Sequence, residues 1–590
     1  MKKYNNLFKC SLLAIVLTFS NCETIDLDQT ENPSQISEDL LDPVYTFNYV
    51  QIQLADFVET ANSFTQRVTR QMAMTGGNSY NNAFQPVNFN ANWNTGYNIL
   101  NAIKVMEPKA IEKKESYALG GAKVIRVYVL MTMVDMYGNI PYSEALQGGA
   151  NLNPKFDNSA DIYRGLLTEL DAAIVLLNQS NAAGSKVQDL YYDKKEKWIT
   201  LANTLKLKMY CTARLAGSQF GVNDINAAIQ TVVSAEGGII DDESEDFAFK
   251  YGDSRFVPNT RHPLYNDQYE NNGGAYIANY MMWAMTTEKK FSSQISTSPS
   301  RIDPRTSFYF YRQDENPNDE DNFTLPIVAR PEEYNDIKYR SFYTFVPTLG
   351  EPALTPFIVS NWVGELNAPA NGFWGRDHGD NAGIPPDASK RTVGGQYPIG
   401  GEYGAFGDVQ TGGDKGAKGA GITPIIMSSF VHFMLAEAIQ TGASIGGMTA
   451  AGEFENGMRA SIKKVVNFLP DFVYSGGESQ PSAAVLLAQE NAYVTWMLGF
   501  FNDSSANSNY KVELIVKELY IASWGNGIEP YNAYRRTGFP SNFQPTREPA
   551  AGDFFSTALY PANSVVNNPN APVNVRTKKV FWDVAGLTLH

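Results

Sequence analysis

Val124-Ile125-Arg126-Val127-Tyr128-Val129-Leu130-Met131-Thr132-Met133-Val134-Asp135-Met136-Tyr137 is apolar almost all the way round a helix, yet it carries Arg126 and Asp135 within its 14 residues. A helix that is hydrophobic on every side is buried, either in lipid or in a protein core. Two charges in so short a run argue against lipid. The stretch therefore reads as a central buried helix, and the fold is read outward from it. Tyr137-Gly138-Asn139-Ile140-Pro141-Tyr142 closes it. Farther on, Asn158 and Asp161 stand as a cap pair before Ile162, Leu166, Leu170, Ile174 and Leu177, a stripe at helical spacing.

The same periodicity makes the chain helical nearly throughout residues 38 to 236 and again over about 426 to 523, where Phe430, Phe433 and Met434 share a face. Stacked helix pairs would suit this pattern, although no clean repeat of about 34 residues is visible. Between the blocks, over about 240 to 421, helical periodicity gives way to Gly, Pro, Asn and aromatics. Residues 371 to 408 hold ten glycines together with Phe373, Trp374, Tyr397, Tyr403 and Phe406. This reads as a long functional insertion, because loops on a rigid scaffold are where binding residues concentrate. The end, 540 to 590, is again irregular, with a strand-like finish at Lys579-Val580-Phe581-Trp582-Asp583.

The N-terminus carries an address. Lys2 and Lys3 precede the apolar run Leu12 to Phe19, which is long enough for a signal segment and too short to span a bilayer. Phe19-Ser20-Asn21-Cys22 follows, then the acidic Glu23, Asp26 and Asp28. This looks like a lipoprotein processing site, although Asn21 stands where a smaller residue is usual. The expectation is a signal peptide over 1–21, a tether over 22–37 lipidated at Cys22, and a single domain over 38–590. Several acyl chains on one cysteine would anchor the protein firmly, each buried methylene contributing about 0.8 kcal/mol. With Cys10 in the signal segment and Cys22 lipidated, Cys211 is left alone, so no internal disulfide is expected.

The 590 residues include 47 basic and 62 acidic side chains, a formal charge of −15, with no basic stripe to neutralise phosphates. Nucleic acid is not an expected partner. Hydrophobic residues at 43% and charged residues at 18% suit a globular body. Aromatics reach 12%, which serves core packing but also suits sugar ligands, whose C–H faces lie on flat rings.

Several segments, in this order and spacing, resemble the SusD/RagB family of nutrient-binding outer-membrane lipoproteins. They are Tyr137 to Tyr142, Pro154-Lys155-Phe156-Asp157, Lys197-Trp198 through Leu205-Lys206-Leu207, Leu435-Ala436-Glu437-Ala438, and Tyr534-Arg535-Arg536-Thr537-Gly538-Phe539-Pro540. Gly372 to Asp380 looks like a marker of one branch of that family. The resemblance implies a mainly α, tetratricopeptide-like scaffold whose long irregular insertion forms the ligand-binding face. It also implies a lid on a TonB-dependent outer-membrane transporter, with an oligosaccharide, or in some members a peptide, as ligand. Arg535, Arg536, Glu437 and Trp198 are expected to hold the scaffold together rather than touch ligand.

Chemistry-bearing motifs are weak. Gly442-Ala443-Ser444-Ile445-Gly446 matches a nucleophile-elbow pattern but follows a helix, so Gly442 reads as a helix stop. The glycines of 412 to 421 lack the Gly-Lys pair of a phosphate loop. His262, His378, His432 and His590 are too scattered for a zinc motif, and Asp314 to Asn322 lacks the central glycine and final glutamate of a calcium loop. The expectation is no catalytic residue, no metal and no cofactor. A surface glycoside hydrolase or lyase is the alternative, since a pair of carboxylates is recognised only in space. An adhesin is a third. The binding face is expected at Asn78, Tyr80 and Trp93, where aromatics including Phe84 alternate with asparagines, and at Phe373, Trp374, Arg376 and Asp377, a pair of rings beside a bidentate donor and an acceptor.

Overall fold

Asp135 explains how the apolar helix tolerates a charge. The computed structural model describes residues 42–179, 188–270, 275–286, 303–312, 375–380, 392–403, 416–468, 481–544, 546, 548–549 and 551–587. Cys22 with its flanking signal and tether, Phe373, Trp374 and the Asp314 to Asn322 run lie outside them. The N-terminal block holds α1 (Pro43–Val68), α2 (Asn78–Ala83), α3 (Asn90–Lys113), α4 (Ser116–Tyr137), α5 (Ser159–Gln179), α6 (Lys195–Thr212) and α7 (Ile225–Val233). Helix α4 contains the opening stretch and is the one helix, among the described residues, long and apolar enough to cross a membrane. Its apolar window is 89% buried inside the protein, as the two charges predicted. Asp135 is 1% exposed. Its carboxylate accepts from Tyr163 on α5, from the Asn532 amide at 2.8 Å and from the Trp582 indole at 2.9 Å. Arg126 reaches the surface, where it meets Glu169 at 3.4 Å.

Neighbours pack in sequence order, α3 on α4, α4 on α5, α5 on α6 and α6 on α7, with α1 covering α3 and α4. Gly121 lets α1 approach α4 closely, since a Cβ there would lie 2.7 Å from Phe47 Cζ. Asn158 caps α5 through Ala160 N at 2.9 Å, and Gly138, at φ 81°, ends α4.

The insertion contributes α8 (Asn279–Thr286) and four short strands, β1 (Phe247–Lys250), β2 (Phe310–Arg312), β3 (Thr392–Gly394) and β4 (Ile422–Ile426). β1 pairs antiparallel with β4, and β2 with β3. The second helical block comprises α9 (Ser428–Gln440), α10 (Ala450–Val466), α11 (Ala483–Phe501), α12 (Ser508–Ala522) and α13 (Ile528–Thr537), so it runs past the expected end near 523. Helix α9 packs on α6 and α13 on α1 and α6, which fuses the two blocks. A buried ion pair, Lys208 to Glu529 at 2.6 and 2.8 Å, crosses the α6–α13 seam. Arg536 clasps Glu437 through two bonds of 2.8 and 2.7 Å, Arg535 donates to Ser556 O at 2.8 Å, and Trp198 donates to Asp189 at 2.7 Å. These are the scaffold roles expected of them. Gly442, at φ 110°, follows the last turn of α9, which places Ser444 in a loop. Cys211 is a buried free thiol, pushed up to about 12 by burial.

One expectation fails. Lys579 to Asp583 is a turn rather than a strand, with Asp583 N bonded to Val580 O at 3.1 Å. Trp582 and Phe581 do not alternate across a sheet. Trp582 enters the core at Asp135, and the half-buried Phe581 packs against the rings of Tyr163 and Phe220 at 4.9 and 6.1 Å.

Candidate binding face

Beyond α1, Arg70 takes left-handed backbone at φ 58° and turns the chain into an extended stretch. That stretch is held from the insertion side: Met72 bridges Ile277 and Thr75 bridges Asp380. Glu548 accepts from Gly77 N just ahead of α2. Helix α2 presents Tyr80, with Phe84 directly after it. Phe84 is buried against Phe64 and Phe555, with ring centroids 6.0 and 4.6 Å away. Tyr80 meets Phe84 edge-on at 5.2 Å and His378 at 5.6 Å. Burial, aided by the nearby Arg70 charge, holds the His378 imidazole well below its usual range. It is therefore neutral and serves Tyr80 as a ring rather than as a cation.

Two clefts open along this segment. One, of about 300 Å³, is lined by Tyr80, Asn81, Phe84 and Gln85 on one side and by Phe555 and Arg576 on the other. The Arg576 guanidinium lies 5.1 Å from the Phe555 ring centroid. The second, of about 230 Å³, is lined by Trp93 and Tyr97 of α3 and faced by Asn563, Asn567 and Asn568. Trp93 stands edge-on to Tyr137 and Tyr560, at 5.1 and 6.3 Å, so most of the ring is core and one edge is cleft wall. Tyr97 donates to Pro141 O at 2.7 Å, and burial raises its phenol well above the usual value, which keeps it neutral. Asn574 lines the first and bonds Tyr560 N and O at 2.5 and 3.1 Å, and the Tyr560 ring stands edge-on to Trp93 of the second.

Tyr80 and Trp93 thus each line a cleft, and the described part of the glycine-rich stretch comes alongside through Thr75–Asp380 and Tyr80–His378. Asn78 is exposed at the start of α2 and lines neither cleft. Arg376 and Asp377 line neither cleft. Asp377 is fully buried and accepts from the Asn279 amide at 2.8 Å, while Arg376 lies 4.2 Å over the Tyr276 ring. A carboxylate leaves water only where fixed donors replace it, and α8 supplies them. Both residues brace the loop. Phe555, Asn563, Asn567, Asn574 and Arg576 were missed by sequence reasoning. The signal lay in Asn567-Asn568-Pro569-Asn570, which has the asparagine richness of the 78–93 segment.

Rings, amides that both donate and accept, and one guanidinium suit a ligand bearing many hydroxyls and apolar C–H faces. Among the described residues, no group of three or more His, Cys, Asp or Glu is placed to hold a metal ion.

Residues 33–343 match a SusD-like family model described as starch-binding associating with outer membrane, and residues 420–578 match one described as SusD and RagB outer membrane lipoprotein. No curated protein matches the chain. Among solved structures, a chitin-binding SusD homologue from Flavobacterium johnsoniae is 16% identical, with 92% of this chain and 97% of that chain aligned and a TM-score of 0.60. A SusD homologue from Bacteroides uniformis is 16% identical over 91% and 99%, with a TM-score of 0.59. Another from Bacteroides vulgatus is 14% identical over 92% and 98%, with a TM-score of 0.60. At these identities the likeness is one of fold, the tetratricopeptide-like helical fold expected from the sequence.

Proposed function

Because the chain belongs to the SusD/RagB family of outer-membrane lipoproteins, we propose that it is a non-catalytic receptor that captures oligosaccharide at the cell surface and delivers it to a TonB-dependent transporter. Removal of residues 1–21 and lipidation of Cys22 would anchor it, with 22–37 as tether to the single domain. The observation that carries the ligand class is the pair of clefts, where Tyr80, Phe84 and Trp93 accompany asparagine amides and Arg576. Chitin-binding and starch-binding descriptions among its structural and family relatives support the same class.

A glycan array and a peptide array with the mature protein test the reading, followed by calorimetry on the best ligand. Affinity in such sites concentrates in a few buried anchors, so Tyr80→Ala or Trp93→Ala should each weaken binding by about 2 kcal/mol or more. Capture of peptides alone, or turnover of a bound glycan, would overturn the proposal. Unchanged affinity in both variants, with unchanged melting temperature, would remove these clefts from it.

A further inference from the structure

A third cavity, of about 380 Å³, opens on the flank of α1 and shares no lining residue with the two clefts. Asp56, Glu59, Ser63 and Arg67 recur along that flank at helical spacing, while Phe57, Ala61, Phe64 and Val68 point into the core. The opposite wall is apolar, formed by Leu264, Pro398, Ile399 and Trp524, with Asp267 at its edge. The cavity therefore sets hydrogen-bonding groups against a C–H surface, the two demands of a pyranose ring.

Trp524 contributes a ring that is 1% exposed and packs on Phe310 and Tyr309 at 5.8 and 6.3 Å, so this wall of the cavity is fixed by the core.

Charge narrows the ligand further. Three carboxylates, Asp56, Glu59 and Asp267, face one guanidinium, Arg67. Burial lowers the Arg67 pKa while the Asp267 charge opposes that shift. Burial pushes the Glu59 carboxyl up to about 7, against the Thr423 hydrogen bond, so near neutral pH it can donate as well as accept. The local field repels anions.

We propose that this cavity is a second binding site, for one or two units of a neutral or amino sugar, and that it rejects sugars bearing carboxylate or sulfate. The inference rests on the carbohydrate-binding reading above but on a different surface. The test is ligand-observed NMR titration of the mature protein with glucose, glucosamine and glucuronate at pH 7.5. Glucosamine and glucose should bind, and glucuronate should bind about tenfold more weakly or not at all. Ser63→Tyr, which fills the cavity from the exposed flank of α1, should abolish glucose binding. Asp267→Asn should erase any preference for glucosamine over glucose. Glucuronate binding as well as glucose, or unchanged glucose affinity in a folded Ser63→Tyr protein, overturns the site. No monosaccharide signal from protein that still captures its array glycan overturns this site alone and leaves the function of the clefts standing.

Discussion

Three groups far apart in sequence converge on the Asp135 carboxylate, and the core depends on all of them. Asp135→Ala leaves the Tyr163 hydroxyl, the Asn532 amide and the Trp582 indole unpaired in the interior. At roughly 1–3 kcal/mol per orphaned group, the expected loss is about 3 kcal/mol or more, measured by urea unfolding. Asp135→Asn, which keeps one acceptor oxygen, should lose less. Glu59 gives a pH signature. Its carboxyl is raised from 4.5 to about 7 in the fold, so the neutral acid is the favoured form. That contribution is fully present below about 4.5 and is lost as pH rises through about 7. The stability of Glu59→Gln relative to the parent should therefore increase between pH 5 and 7.5, and a flat difference would contradict the assignment. The sequence made Asp135 visible as a charge inside an apolar helix but could not name its partners, because Trp582 lies 447 residues away. Tyr80 and Trp93 stand out in the sequence as rings among asparagines and each lines a cleft, whereas Arg576 becomes a wall residue only once the chain has folded back.

Long helices were the legible elements, since a 3.6-residue period sustained over several turns leaves little else to propose. The strands were not. Ile422–Ile426 is five residues long, with Thr423 and Pro424 inside it and its partner, β1, far upstream, so neither length nor alternation marked it and the proline argued against a strand. The seam between the helical blocks was also invisible in the sequence, although it holds the two halves together. There Lys208 and Glu529 are 1% and 3% exposed. Lys208→Ala should destabilise the protein by about 3–5 kcal/mol by stranding the glutamate, whereas Lys208→Met combined with Glu529→Leu should be close to neutral. Thermal unfolding of both singles and the double resolves this, and a double variant as weak as the singles would argue for a specific role of the charges at the seam.

For the whole molecule, anchoring and partnership follow from the proposed function. Cys22→Ala should release the protein from outer-membrane fractions and abolish its labelling by palmitate, and retention of that variant would contradict the anchor. Purification of the wild type from native membranes in mild detergent should bring down a large β-barrel, and its repeated absence would count against delivery to a transporter. The overall layout has one more effect. Both clefts combine residues from 80 to 97 with residues from 551 to 576, and residues 141 to 154 complete the second, while Trp582 pins the tail into the core. During synthesis the residues from 80 to 97 emerge early and those from 551 to 576 almost last. A chain terminated before Phe555 therefore lacks most of one side of both clefts. Assembly of the two clefts is thereby coupled to completion of translation.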